Sequence, residues 1–358
     1  MSQLRHLQRC KRTRAQCRSK THGKPDDLPK PTAWAHSISA DHQILNKDEA
    51  SRKGDRAALV VIDRFTRWLQ GYACLNKSAE VCEVLLKRFL GPQCKPEHVY
   101  TDNSKEFIKA IEELRWPHDT STPHRAQTNG VIERANRVVK EGTSCALVQS
   151  GLSEKFWPEA MKCFCFLHNV MDKLFDGKTP WEQRFGEPFS GPLYPFGAEI
   201  NYKPITEKDK GRLHKFGSKV LSGIFFGYVQ RVGGSWNEEL YIVDWEELHN
   251  AQTLSEVRLK KFLFKEVVPV KIGNNFRFPV AEGALGQPSH LPRHRLKLSP
   301  PEFAEGNLSH ENPEAESAEE DGEQPDLVET ESAEGNLSPE DVELDTEEKS
   351  SGALTATA

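Results

Sequence analysis

Acidic residues far apart in the chain are the side chains here that could do chemistry. Glu133 lies in "TPHRAQTNGVIERANRVVKEG" (122–142), where a polar loop runs through an Asn-Gly pair into a helix. At 100° per residue, Ile132, Ala135, Val138, Val139, Gly142 and Ala146 share an arc that must face a core. Glu133, Arg137 and Lys140 fall nearly opposite, at the i, i+4 and i+7 spacing of a single face. Alone, that pattern is an ordinary solvated helix face. It gains meaning from Asp41 and Asp102, each at the end of an extended stretch, in "TAWAHSISADHQIL" and "EHVYTDNSKEF". Convergent carboxylates repel and raise one another's pKa unless a cation joins them. Hard divalent cations take oxygen ligands. Two of them about 3.5–4 Å apart can activate an attacking oxygen and stabilise the leaving oxygen of a phosphodiester. The bases beside Glu133 would then hold a nucleic-acid backbone.

The elements that must position these acids follow from pattern and punctuation. Residues 32–45 read as an extended segment carrying Asp41, and 56–75 as two strands joined near Thr66, with Asp63 on the first. Residues 76–91 read as a helix capped by Ser78 and stopped by Gly91, with Val81, Val84, Leu85 and Phe89 inward. A short strand ends at Asp102 and a helix follows to about Leu114; "HDTS" (118–121) is a further short strand. The Glu133 helix and a second long helix, 153–171, close the series. Strands alternating with helices predict an α/β domain with a mixed sheet, whose strand-end loops gather at one edge. Beyond "TPWEQRFGEP" (179–188), "EINYKP", "KVLSGIFFGYVQ", "ELYIVDW" and "EVRLKKFLF" predict a small antiparallel β-barrel. The expected organisation is a basic arm (1–30), an α/β core (31–175), a linker (176–191), a small barrel (192–268) and an acidic tail (288–358).

Charge is divided along the chain. Residues 301–358 hold nineteen acids and one base, Lys349, a net of −18, so the −5 of the whole chain leaves +13 for residues 1–300. A basic folded part is the footprint of a protein that neutralises phosphates. The tail is poor in aromatics and rich in Glu, Ser, Pro and Gly, a composition expected to stay disordered. Residues 1–30 carry nine Lys or Arg against two Asp, which suits nucleic-acid contact or nuclear import. His6, Cys10, Cys17 and His22 lack the paired spacing of a zinc site, so zinc is not expected. No apolar run is long enough for a membrane span, and eight scattered cysteines suit a reducing compartment.

The stretch "VYTDNSKEF" followed by "TPHRAQTNGVIERANRVVKEG" resembles the integrase catalytic core of retroelements, with its Asp, Asp, Glu triad. Downstream, "FWPEAM", "TPWEQRFGEP", "YPFG" and "GIFFGY" resemble copia-type retrotransposon polyproteins. Together these motifs cover about residues 32–266. The resemblance implies a ribonuclease-H-like fold, a site for two Mg²⁺ (or Mn²⁺) ions and a C-terminal barrel of the Src-homology-3 kind. It also implies trimming of element DNA ends and their joining to target DNA, with double-stranded DNA as partner, a possible homo-oligomer and a nuclear location, cytoplasmic before import. Asp102 and Glu133 match the second and third acids. Asp41 fits the first-strand position, and Asp63 in "VVIDRF" is the alternative. Asn103, Gln127 and Asn129 match substrate-near positions, and Arg134, Arg137 and Lys140 the DNA-facing helix. The chain departs from the family at Ser104 and Ala126, and fewer residues separate Asp102 from Glu133 than is usual. An integrase-derived nucleic-acid-binding protein without catalysis is the alternative reading.

Overall fold

The computed structural model describes residues 30–121 and 130–283. Strand β1 (Ile38–Ile44) pairs antiparallel with β2 (Ala57–Asp63), and β2 pairs antiparallel with β3 (Leu69–Cys74). On its other edge β1 pairs parallel with β4 (Val99–Thr101), which pairs parallel with β5 (His118–Thr120). The order is therefore β3-β2-β1-β4-β5, a mixed sheet in which all seven residues of β2 are buried. Helices α1 (Ala79–Leu90) and α2 (Lys105–Leu114) pack together, as do α3 (Gly130–Ser150) and α4 (Trp157–Met171). Side chains alternate along β1 to meet both pairs. His42 stacks on Phe107 of α2, while Asp41 and Gln43 bond to Asn136 of α3. This five-stranded sheet flanked by helices is an α/β fold of ribonuclease-H-like kind.

Ser78 caps α1 by accepting from Val81 N–H, and Gly91 ends it at φ 98°. The inward face differs from expectation. Ala79, Cys82, Leu86, Phe89 and Leu90 are buried, whereas Val84 is 63% exposed. Phe89 is inward as expected, but the buried stripe runs through Cys82 and Leu86, which leaves Val84 on the outer side. In α3, Ile132, Ala135 and Val139 are buried as expected, and the stripe continues through Thr143 and Leu147. A Cβ at Gly71 would lie 2.6 Å from Met161 Sδ, so glycine lets α4 settle directly on β3.

The second sheet runs β10-β6-β7-β8-β9, all antiparallel, with β6 Glu199–Tyr202, β7 Leu221–Gln230, β8 Trp236–Asp244, β9 Lys260–Leu263 and β10 Val267–Pro269. Its outermost strands, β9 and β10, share no ladder among the described residues, so it is seen as a sheet where a closed barrel was expected over 192–268. Both sheets belong to one compact unit. α4 is apolar on two sides: Phe166 stacks on Tyr228 of β7, while Asn169 bonds both backbone groups of Leu69 on β3. The expected linker 176–191 contains helix α5 (Pro180–Phe185), a six-residue helix whose Trp181 is buried against Phe166 and Phe189. The acidic tail (288–358) and the basic arm, with its Cys and His residues, lie outside the described residues.

Candidate active site

Register brings the first two acids together. The parallel ladder pairs Ser39 with Tyr100 and Ala40 with Thr101, so Asp41 and Asp102 come next on neighbouring strands, which lie roughly 5 Å apart. Asp102 leaves β4 just before α2 and accepts from Ser104 N–H (3.3 Å), in the turn that starts the helix. Asn103 is exposed beside it. Glu133 stands exposed in the first turn of α3.

Asn136, one turn after Glu133, ties that helix to β1. Its Nδ2 donates to Asp41 Oδ2 (2.7 Å), and its backbone carbonyl accepts from Gln43 Nε2 (2.8 Å). Asp41 Oδ1 accepts from His42 N–H at 2.8 Å. Burial pushes the Asp41 carboxyl up to about 6, with the Asp102 carboxylate second and Glu133 adding to the rise. His42 goes the other way, down to about 4, because burial disfavours its cation. Thus Asp41 lies within the fields of both other acids. Asn136 escaped the reading of the sequence because it is uncharged; its signal was the i+3 spacing from Glu133.

Asp63 serves its own turn. It is fully buried and accepts from Ala35 N–H (3.0 Å), Thr66 N–H (2.7 Å) and Thr66 Oγ (2.8 Å). It pairs with Ile38, three residues along β1 from Asp41.

Among the described residues no three His, Cys, Asp or Glu side chains gather tightly enough to hold a metal ion by themselves. Like-charged carboxylates hold apart unless a cation draws them in. The donor set nonetheless suits a hard cation, since it is all oxygen. The buried Oδ1 of Asn136, with no hydrogen-bond partner among the described residues, is a further acceptor beside it. Gln127 and Asn129 lie outside the described residues.

The expected bases divide. Arg137 and Lys140 are exposed and line, with Asn136 and Gln43, a groove of about 1000 Å³. Arg134 instead lies near Arg67 and Arg64 of the β2–β3 turn, two residues not singled out in the sequence. Burial lowers the Arg67 pKa, and Arg134 is the first of the neighbouring cations that add to the fall.

The site thus has one acid on β1, one just past the neighbouring parallel strand β4 and one on α3. No family model matches the chain. It is 26% identical over 196 residues to the retrovirus-related Pol polyprotein from transposon RE2 of Arabidopsis thaliana, covering 51% of this chain and 13% of that protein. It is 27% identical over 213 residues to the transposon RE1 polyprotein of the same plant, covering 56% and 14%. The chain thus matches about a seventh of the length of these curated relatives. Solved structures similar to it include the catalytic core domain of BIV integrase, at TM-score 0.33 and 19% identity over 42% of this chain and 95% of that one. Another is the HTLV-2 integrase catalytic core domain in complex with magnesium, at 0.33 and 21% over 42% and 97%. The chain is similar in sequence to retrotransposon Pol polyproteins.

Proposed function

We propose that this chain is an integrase-like polynucleotidyl transferase that trims DNA 3′ ends and joins them to a second duplex. The carrying observation is the tethering of Asp41 to the helix of Glu133 through Asn136, with Asp102 on the adjacent strand. In this reading Asp41, Asp102 and Glu133 hold two Mg²⁺ or Mn²⁺ ions, which when bound activate the attacking oxygen and offset charge on the leaving one. Asn136 orients the Asp41 carboxylate, while Arg137 and Lys140 hold DNA backbone along the groove and Arg134 beside Arg67 holds it at the helix start. Asn103, Gln127 and Asn129 are the further residues assigned by resemblance to substrate contact. A second copy of the chain is an expected partner, and the nucleus the expected location.

The test is strand nicking and joining by the full chain with labelled duplex ends in Mg²⁺ or Mn²⁺. Asp102→Asn should cut the rate by more than about 100-fold while the melting temperature holds. Salt-sensitive DNA binding that is indifferent to EDTA and to Glu133→Gln, with no joining, would instead assign a DNA-binding protein without catalysis.

A further inference from the structure

A second cavity of about 710 Å³ is walled by the turn before β2, by α4, and by β7 and β8; none of the three acids lines it. Glu159 of α4 forms part of its wall, with a side chain only 10% exposed. Its Oε1 accepts from Arg52 Nε (2.9 Å) and Nη2 (2.8 Å). Arg52 is otherwise spent, donating to Val257 O (2.8 Å) and lying over the Phe156 ring. The other Glu159 oxygen, Oε2, is buried with no hydrogen-bond partner among the described residues. A buried carboxylate oxygen left without a donor is costly.

Three cations share the cavity: Lys53, Lys162 and Arg258. Lys162 keeps exposed surface, yet desolvation lowers its ammonium pKa, with Arg88 next in effect. Of the two carboxylates in the wall, Glu159 is paired with Arg52, and Asp55 accepts from Ser51 Oγ (2.7 Å) while keeping its charge, so the cations outnumber the acids. Tyr241 and Leu259 supply an apolar wall. The cavity therefore offers two things at once: an excess of positive charge and an apolar wall. A bare anion would leave the apolar wall uncovered. A neutral apolar ligand would leave the cations unanswered. A nucleotide meets both demands, and the volume is in the usual range for a small-molecule site.

We propose that this cavity binds a nucleotide of an unpaired nucleic-acid strand, its phosphate on Lys53, Lys162 and Arg258 and its base against Tyr241 and Leu259. The site rests on the nucleic-acid reading above but not on the acids. Base stacking on an aromatic ring beside cations is the common mode for single strands.

The experiment uses the full chain in EDTA, where the acids take no metal, with a short fluorescent single-stranded oligonucleotide. The double variant Lys162→Ala, Arg258→Ala should weaken this binding at least tenfold. It should leave binding of the matched duplex within twofold. The nucleotide dCMP should displace the strand at concentrations where inorganic phosphate does not. Unchanged single-strand affinity in the double variant overturns the proposal, as does equal displacement by phosphate, which would mean an anion site only. Because Glu159→Gln disturbs the Arg52 pair, Tyr241→Ala is the second probe of the base wall and should weaken the strand but not the duplex. Failure of the integrase reading would appear separately, as absence of metal-dependent joining by the unmutated chain.

Discussion

The two sheets treat buried charge in opposite ways. In the second sheet every deeply buried acid has a cation. Glu199 of β6 is fully buried and meets Arg277 Nη1 at 2.6 Å. Asp244, also fully buried, accepts from Arg212 Nη1 (2.9 Å) and from the Tyr202 hydroxyl, which help hold its pKa below the usual carboxylate value against burial. Asp209 is held by Lys260 and Arg212. In the first sheet Asp41 has an amide and a backbone N–H, and two acids for neighbours. Its pKa rises where those of Asp209 and Asp244 fall. Paired charge is architecture; the unpaired carboxylate of Asp41, just past the end of the parallel ladder, is not used that way.

This contrast can be broken by experiment. The largest expected effect is Arg277→Ala, which leaves Glu199 buried without its guanidinium and should cost about 3–5 kcal/mol in urea unfolding. A loss under about 1 kcal/mol would show that the second sheet does not depend on its pairs. Next comes Asp41→Asn, where the sign is opposite. A carboxyl raised from 3.8 to about 6 contributes stability that is fully present below pH 3.8 and is lost as pH rises through about 6. The Asn variant should thus be more stable than the parent by about 1–2 kcal/mol at pH 7.5 in EDTA, allowing for partial solvent screening. Thermal melts at pH 7.5 and pH 4 check it: the gain should vanish at the lower pH, and a variant less stable at both would refute the strain. The smallest effect is Arg137→Ala. DNA affinity should weaken alike for all sequences, and the slope of log affinity against log salt should shrink by about 1. An unchanged slope would remove Arg137 from the backbone contacts.

What could be read in the sequence was local. The Ser78 cap, the Gly91 stop, the succession of the first five strands along the chain and the buried stripe of α3 all follow from local patterns. What could not be read depends on partners distant in the chain. Val84 was expected inside because it is apolar, but the α1 face that meets the sheet is set by Ala79 and Cys82. Strand β10 is three residues long and exists because β6 offers it an edge. Arg52 and Glu159 are 107 residues apart, and nothing near either predicts their pairing. Asp63 drew attention as an acid on a strand, yet its three hydrogen bonds make it the keystone of the β2–β3 turn.

The pair of bonds from Asn136, one through its amide to Asp41 and one through its carbonyl from Gln43, fixes α3 to β1 just beyond Glu133. The third acid therefore takes its bearings from the strand that carries the first, not from the chain that connects it to the second. A change in the length of that connection would leave α3 anchored to β1 by the same two bonds.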